Sequence, residues 1–121
     1  MTNEQIIALV RYCLSFPPDS AAGRAFCRTL SRATANEAAA LATAYDLLKT
    51  GEHRMAFTMN KRGAARAERA AQVVRMLGAD LEVTTDVRKD ERAEGATHLF
   101  WASDPTKYLP LRIINGPRAA P

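Results

Sequence analysis

The chain has 121 residues, a formal charge of +4, 47% apolar and 25% charged residues. Such a composition is ordinary for a globular protein and excludes disorder throughout. The length fits one domain and excludes a Rossmann enzyme or a TIM barrel carrying its own active site.

Thr2-Asn3-Glu4-Gln5 is a capping-box pattern, followed by Ile6, Ile7, Val10 and Leu14 on one helical face. Pro17-Pro18 stops that helix. Asp19 or Ser20 is placed to cap a second helix over Ala21–Arg32, with Ala22, Phe26, Leu30 and Ala33 on its apolar side. A second capping box, Thr34-Ala35-Asn36-Glu37, opens a third helix with Ala38, Leu41, Tyr45 and Leu48 as its stripe and Gly51 as its C′ residue.

The period then changes. Met55, Phe57 and Met59 alternate with polar or small residues, which predicts a short strand. Asn60 is a cap for a fourth helix over Lys61–Leu77, closed by Gly78, with Ala67, Ala70, Val74 and Leu77 as its core stripe. Strands are expected over Leu81–Val87 and Thr97–Ala102, the second with Leu99 and Trp101 on one side and His98 and Phe100 on the other. The charged stretch from Arg88 to Gly95 reads as a mobile loop, and Leu109, Leu111 and Ile113 as an edge strand interrupted by Pro110.

The expected architecture is one α+β domain over residues 1–114. A helical part (1–51) precedes a βαββ(β) part (53–114), the small sheet is covered by helices on one face, and residues 115–121 form a flexible tail. No apolar run approaches the ~20 residues of a membrane span. No charged segment followed by an apolar stretch opens the chain, so a soluble cytoplasmic protein is expected. Cys13 and Cys27 are too few for a disulfide scaffold and read as buried, reduced thiols. Thirteen arginines against four lysines, with abundant alanine, fit a GC-rich bacterial or phage genome.

The strongest chemical feature is basic. Arg54, Lys61, Arg62, Arg66, Arg69 and Arg75 are opposed in their segment by Glu68 alone. Arg62, Arg66 and Arg69 share one stripe of the fourth helix, and Lys61 and Arg62 sit at its N-terminus, where the helix dipole disfavours cations. A phosphate group would reverse that cost, because backbone N–H groups and cations converge there. A second stripe, Arg24, Arg28 and Arg32, lies opposite the apolar side of helix two, as in any amphipathic helix.

Helices two and three have the order of a helix-turn-helix. However, the turn lacks glycine, and Glu37 with a run of alanines stands where base-reading side chains belong. The following loop, the candidate wing, carries three cations against three acids. No phosphate-binding glycine motif, metal-ligand spacing or cofactor fingerprint is present. A small enzyme would require His53 or His98 to meet Asp86 or Cys27 in a pocket.

The expectation is therefore a non-enzymatic binding protein. It engages nucleic acid, or a nucleoprotein complex, through Arg62, Arg66 and Arg69, with Arg54 and Lys61 near them and Arg24, Arg28 and Arg32 extending the surface. The alternative is a protein-interaction module, such as a phage or mobile-element inhibitor or adaptor of a host complex. That module would bind an acidic surface and use Trp101 and Tyr108 as anchors. A homodimer through the edge strand near Leu109 is a further expectation.

Overall fold

The structure, a computed structural model, describes residues 1–86 and 95–107. Three helices come first: α1 (Asn3–Leu14), α2 (Ala21–Arg32) and α3 (Ala35–Lys49). They are followed by β1 (Glu52–Phe57), α4 (Lys61–Met76), β2 (Asp80–Thr84) and β3 (His98–Ser103). This is an α+β fold with the helices N-terminal, as the hydrophobic periods predict.

Each helix starts where a side chain can satisfy its free N–H groups. Thr2, Ser20, Thr34 and Asn60 accept from Gln5, Gly23, Glu37 and Gly63 respectively. The reciprocal half of the box forms at Thr2, where the Gln5 side chain returns to the cap backbone. At Thr34 only the forward half forms, because Glu37 Oε2 instead accepts from the Met1 ammonium at 2.7 Å. Gly51 follows α3 at φ 85°, the left-handed conformation that lets its N–H reach the Asp46 and Leu47 carbonyls.

The sheet order is β1-β3-β2, with both pairings antiparallel. β1 and β2 thus run parallel to one another, joined by the α4 crossover, and β3 lies between them. The register sets Phe57 opposite His98, Met55 opposite Phe100 and His53 opposite Ala102. On the other side, Val83 stands opposite Phe100 and Leu81 opposite Ala102. Residues directly opposite share a face, so His53, Met55, Phe57, Phe100, Ala102, Leu81 and Val83 point the same way. Phe57, Phe100 and Ala102 pack there on Ala39 and Leu47 of α3 and on Ala70, Ala71 and Val74 of α4. Of the other four, Met55 packs against this cluster and His53 is buried, while Leu81 and Val83 are 37% and 47% exposed at the sheet edge.

A second core lies on the far side of α3. Ile6, Ile7, Val10 and Cys13 of α1 and Phe26 of α2 close on Ala40, Leu41 and Ala44 of α3 and Val73 of α4. Each large side chain so buried stabilises the fold by roughly 1.5–3 kcal/mol. α3 is therefore the central helix, buried by α1 on one side and by α4 and the sheet on the other. A recognition helix needs an exposed face. The fully exposed positions of α3 are Ala35, Asn36 and Lys49, so the helix-turn-helix arrangement is not formed.

Three other expectations are corrected. The first strand begins at Glu52 and ends at Phe57, so Met59 falls in the exposed turn before α4. The β2 strand is Asp80–Thr84, shorter than the alternating run that predicts it. Of the two thiols, Cys13 is buried and Cys27 is exposed, because Cys27 lies one residue past the buried Phe26 on α2. Tyr108, the Leu109–Ile113 edge strand, most of the Arg88–Gly95 loop and the tail lie outside the described residues.

Candidate nucleic-acid interface

The first turn of α4 is built by a close backbone approach. Asn60 Oδ1 accepts from Gly63 N at 2.8 Å, and Asn60 N donates to Thr58 O at 2.8 Å. A Cβ on Gly63 would lie 1.8 Å from Thr58 O, so only glycine lets the chain leaving β1 cross this turn. The crossing leaves a cleft of about 770 Å³ between the N-termini of α3 and α4. Its charged lining residues are Lys61, Arg62 and Arg66; the others are neutral, among them Asn36, Thr58 and Asn60.

Lys61 and Arg62 are exposed. Arg66 is half-buried, and its Nη2 donates to Ala56 O at 3.3 Å, which fixes the guanidinium over the end of β1. Its Nε is buried with no hydrogen-bond partner among the described residues. None of the three cations forms an ion pair among those residues. The first turn of α4 also lacks an acid, as does that of α2, whereas α1 has Glu4 and α3 has Glu37 in theirs. Cations beside a helix N-terminus cost roughly 0.3–1 kcal/mol each at low salt. An anion in the cleft removes that cost and supplies acceptors for the free guanidinium donors.

The structure redistributes the other predicted basic residues. Arg69 continues the Arg62–Arg66 stripe but is tied to the start of α1. It donates to Asn3 Oδ1, to Met1 O at 3.0 Å and to Gln72 Oε1 at 3.4 Å. Arg54 is adjacent in sequence yet points to the opposite face of the sheet, by strand alternation. There it lies over the Trp101 ring, 4.3 Å from the centroid, and its Nε donates to Glu52 Oε2 at 3.1 Å. Arg54 and Trp101 therefore sit together on the face away from the cleft.

Arg28 and Arg32 line a different hollow with Glu37 and Met1. That hollow and the cleft share no lining residue, and Arg69 of the α4 stripe reaches the hollow side, where it donates to Met1 O. Arg24 donates to the Asp19 carbonyl at the start of its own helix.

Of the two histidines, His98 has its Nδ1 2.8 Å from Thr97 Oγ1. His53 instead pairs with Asp46, Nδ1 to Oδ2 at 2.7 Å, linking the last turns of α3 to β1. No sequence rule signals this pair, because it joins a helix end to the next strand across a turn. His53 is 8% exposed and its Nε2 is buried without a partner among the described residues, whereas the Asp46 side chain is 45% exposed. Among the described residues no three His, Cys, Asp or Glu side chains cluster as a metal site would require. None of the described helices is long and apolar enough to cross a membrane.

No protein-family model matches this chain, and no curated protein or solved structure matches it.

Proposed function

We propose that this is a non-enzymatic nucleic-acid-binding protein that grips the sugar-phosphate backbone in the cleft at the start of α4. The carrying observation is the convergence of Lys61, Arg62 and Arg66, all without ion pairs among the described residues, on a helix N-terminus with no acid in its first turn. Neutral donors and acceptors on Asn36, Thr58 and Asn60 complete a lining suited to phosphate oxygens. Contacts to phosphate oxygens fix position on the nucleic acid and carry little sequence information.

Titration of labelled duplex and single-stranded DNA and RNA over a range of salt tests this reading. Three phosphates neutralised on duplex DNA give a log–log salt slope of about −2.7, and Arg62→Ala brings it closer to zero by about 0.9. The double variant Lys61→Glu/Arg62→Glu, folded by circular dichroism, is expected to abolish binding. Unchanged binding by that variant, or no binding of the wild type at low salt, would sink the proposal.

An acidic protein surface is the alternative occupant of the same cleft, as expected for an inhibitor or adaptor of a host complex. It predicts no nucleic-acid binding and a smaller salt dependence.

A further inference from the structure

At the other end of α3 a groove opens that the nucleic-acid reading does not use. We infer that it docks an acidic amphipathic helix of a partner protein. The groove has two lobes, of about 580 and 400 Å³, which share Leu14 and Leu48. The larger is floored by Phe26 stacked on Tyr45, with ring centroids 5.2 Å apart. Its rim is Phe16, 42% exposed, in edge contact with Tyr12, 59% exposed. Two adjacent aromatics left in water on a helix end are an unusual cost, and aromatic side chains around a pocket are what protein interfaces use as anchors.

Charge selects the occupant. The larger lobe has one charged lining residue, Lys49, and the smaller has Arg11, Lys107 and Asp104. Asp104 is already engaged by Thr106, and Lys107 Nζ donates to Leu48 O at 3.1 Å. That leaves Lys49 and Arg11 as cations without an ion pair among the described residues, one beside each lobe. Lys49 is held near the aromatic floor, its Nζ 3.4 Å from the Tyr45 hydroxyl.

An apolar trough flanked by cations complements a helix with apolar residues at i, i+3, i+4 and i+7 and acids beside them. A small amphiphile fits less well, since both lobes are open and a bound small molecule needs 70–90% of its surface covered. Asn36, in the basic cleft, and Leu48, in the groove, are twelve residues apart on α3, or about 18 Å. Both sites can therefore be occupied at once.

The test is selection from a displayed library of helical peptides. Their apolar stripe is held constant and their polar positions vary between Glu and Lys. Fluorescence anisotropy then measures the enriched peptides on the full chain. Glu-rich peptides are expected to be enriched, to bind at least tenfold more weakly to Phe16→Ala and to Lys49→Glu, and to bind Arg62→Glu as well as wild type. Both Phe16 and Lys49 are exposed, so both variants are expected to stay folded, with Lys49→Glu losing a few degrees in melting temperature because it reverses the cation in the last turn of α3. No enrichment, enrichment of Lys-rich or neutral peptides, or affinity unchanged in both groove variants would overturn the assignment. Loss in Arg62→Glu as well as in the groove variants would also overturn it, because it would place the peptide in the basic cleft.

Discussion

Gly63→Ala is expected to destabilise the protein, although alanine in an ordinary helix position would be favoured by roughly 0.5–1 kcal/mol. The added Cβ would stand 1.8 Å from the Thr58 carbonyl oxygen, where ordinary contact begins at 3.4 Å. Helix and entering chain must then separate by roughly 1.6 Å. The Thr58 segment is not free to yield. Its carbonyl accepts from Asn60 N at 2.8 Å, and Met59 N donates to Thr97 Oγ1 at 2.8 Å.

Overpacking of this kind costs about 1–3 kcal/mol, and disturbing the Asn60 cap adds about 1 kcal/mol. Against the propensity gain, the net loss is about 1–3.5 kcal/mol, or about 4–14 °C in melting temperature for a chain of this size. Thermal denaturation followed by far-ultraviolet circular dichroism measures it, with Asn60→Ala as the reference for losing the cap alone, at about 4 °C. The double variant is expected to fall short of the sum, because the cap can be lost only once. A Gly63→Ala melting temperature equal to or above wild type would refute the close-approach argument. Nucleic-acid affinity should fall in the same variant, since the cleft is bounded by the displaced turn.

Other outcomes follow from single sites. Asp46→Ala leaves the buried His53 Nδ1 without its partner and is expected to cost about 1–3 kcal/mol in urea denaturation, with Asp46→Asn losing less; a neutral Asp46→Ala would show that the pair contributes nothing. The Asp104 carboxyl is held below the ordinary aspartate range, first by the Thr106 hydroxyl and then by the Thr106 backbone N–H. A depressed folded-state value stabilises above the ordinary range and is lost as pH falls through the folded value. Asp104→Asn should therefore lower the melting temperature at neutral pH and approach wild type in strong acid, and a constant difference across that range would contradict the linkage. Maleimide is expected to label the exposed Cys27 alone in the native protein and both thiols in urea, since Cys13 is buried and burial pushes its thiol pKa up. Mass spectrometry reads the number of adducts, and comparable native rates at both sites would be incompatible with the packing of α1.

Much of the architecture was legible because it depends on neighbours in the chain. Thr2, Ser20, Thr34 and Asn60 each satisfy an N–H group three residues away, so the sequence marked the helix starts without any tertiary knowledge, with Asp19 and Ser20 left as alternatives at the second. The stripe of Ala70 and Val74, and the alternation of Leu99 and Trp101 against His98 and Phe100, likewise follow from backbone periods of 3.6 and 2. Lys61 and Arg62 could be placed at a helix N-terminus for the same reason.

What those cations do was decided by contacts distant in sequence. Arg69 and Arg66 are one turn apart, yet Arg69 meets Asn3 and Met1 while Arg66 turns to Ala56 and the cleft. Arg54 was separated from its sequence neighbours by strand parity together with the β1–β3 pairing that sets Trp101 beside it. The Asp46–His53 pair, the exposure of Cys27 and the two-lobed groove depend on how α1, α2 and the sheet close around α3. The sequence by itself determined the elements and their caps, because hydrogen bonds and side-chain periods within one segment are local. Only the tertiary structure decided which arginines stay free to bind, because their partners lie on other elements and the order in which those elements pack is written in no single segment.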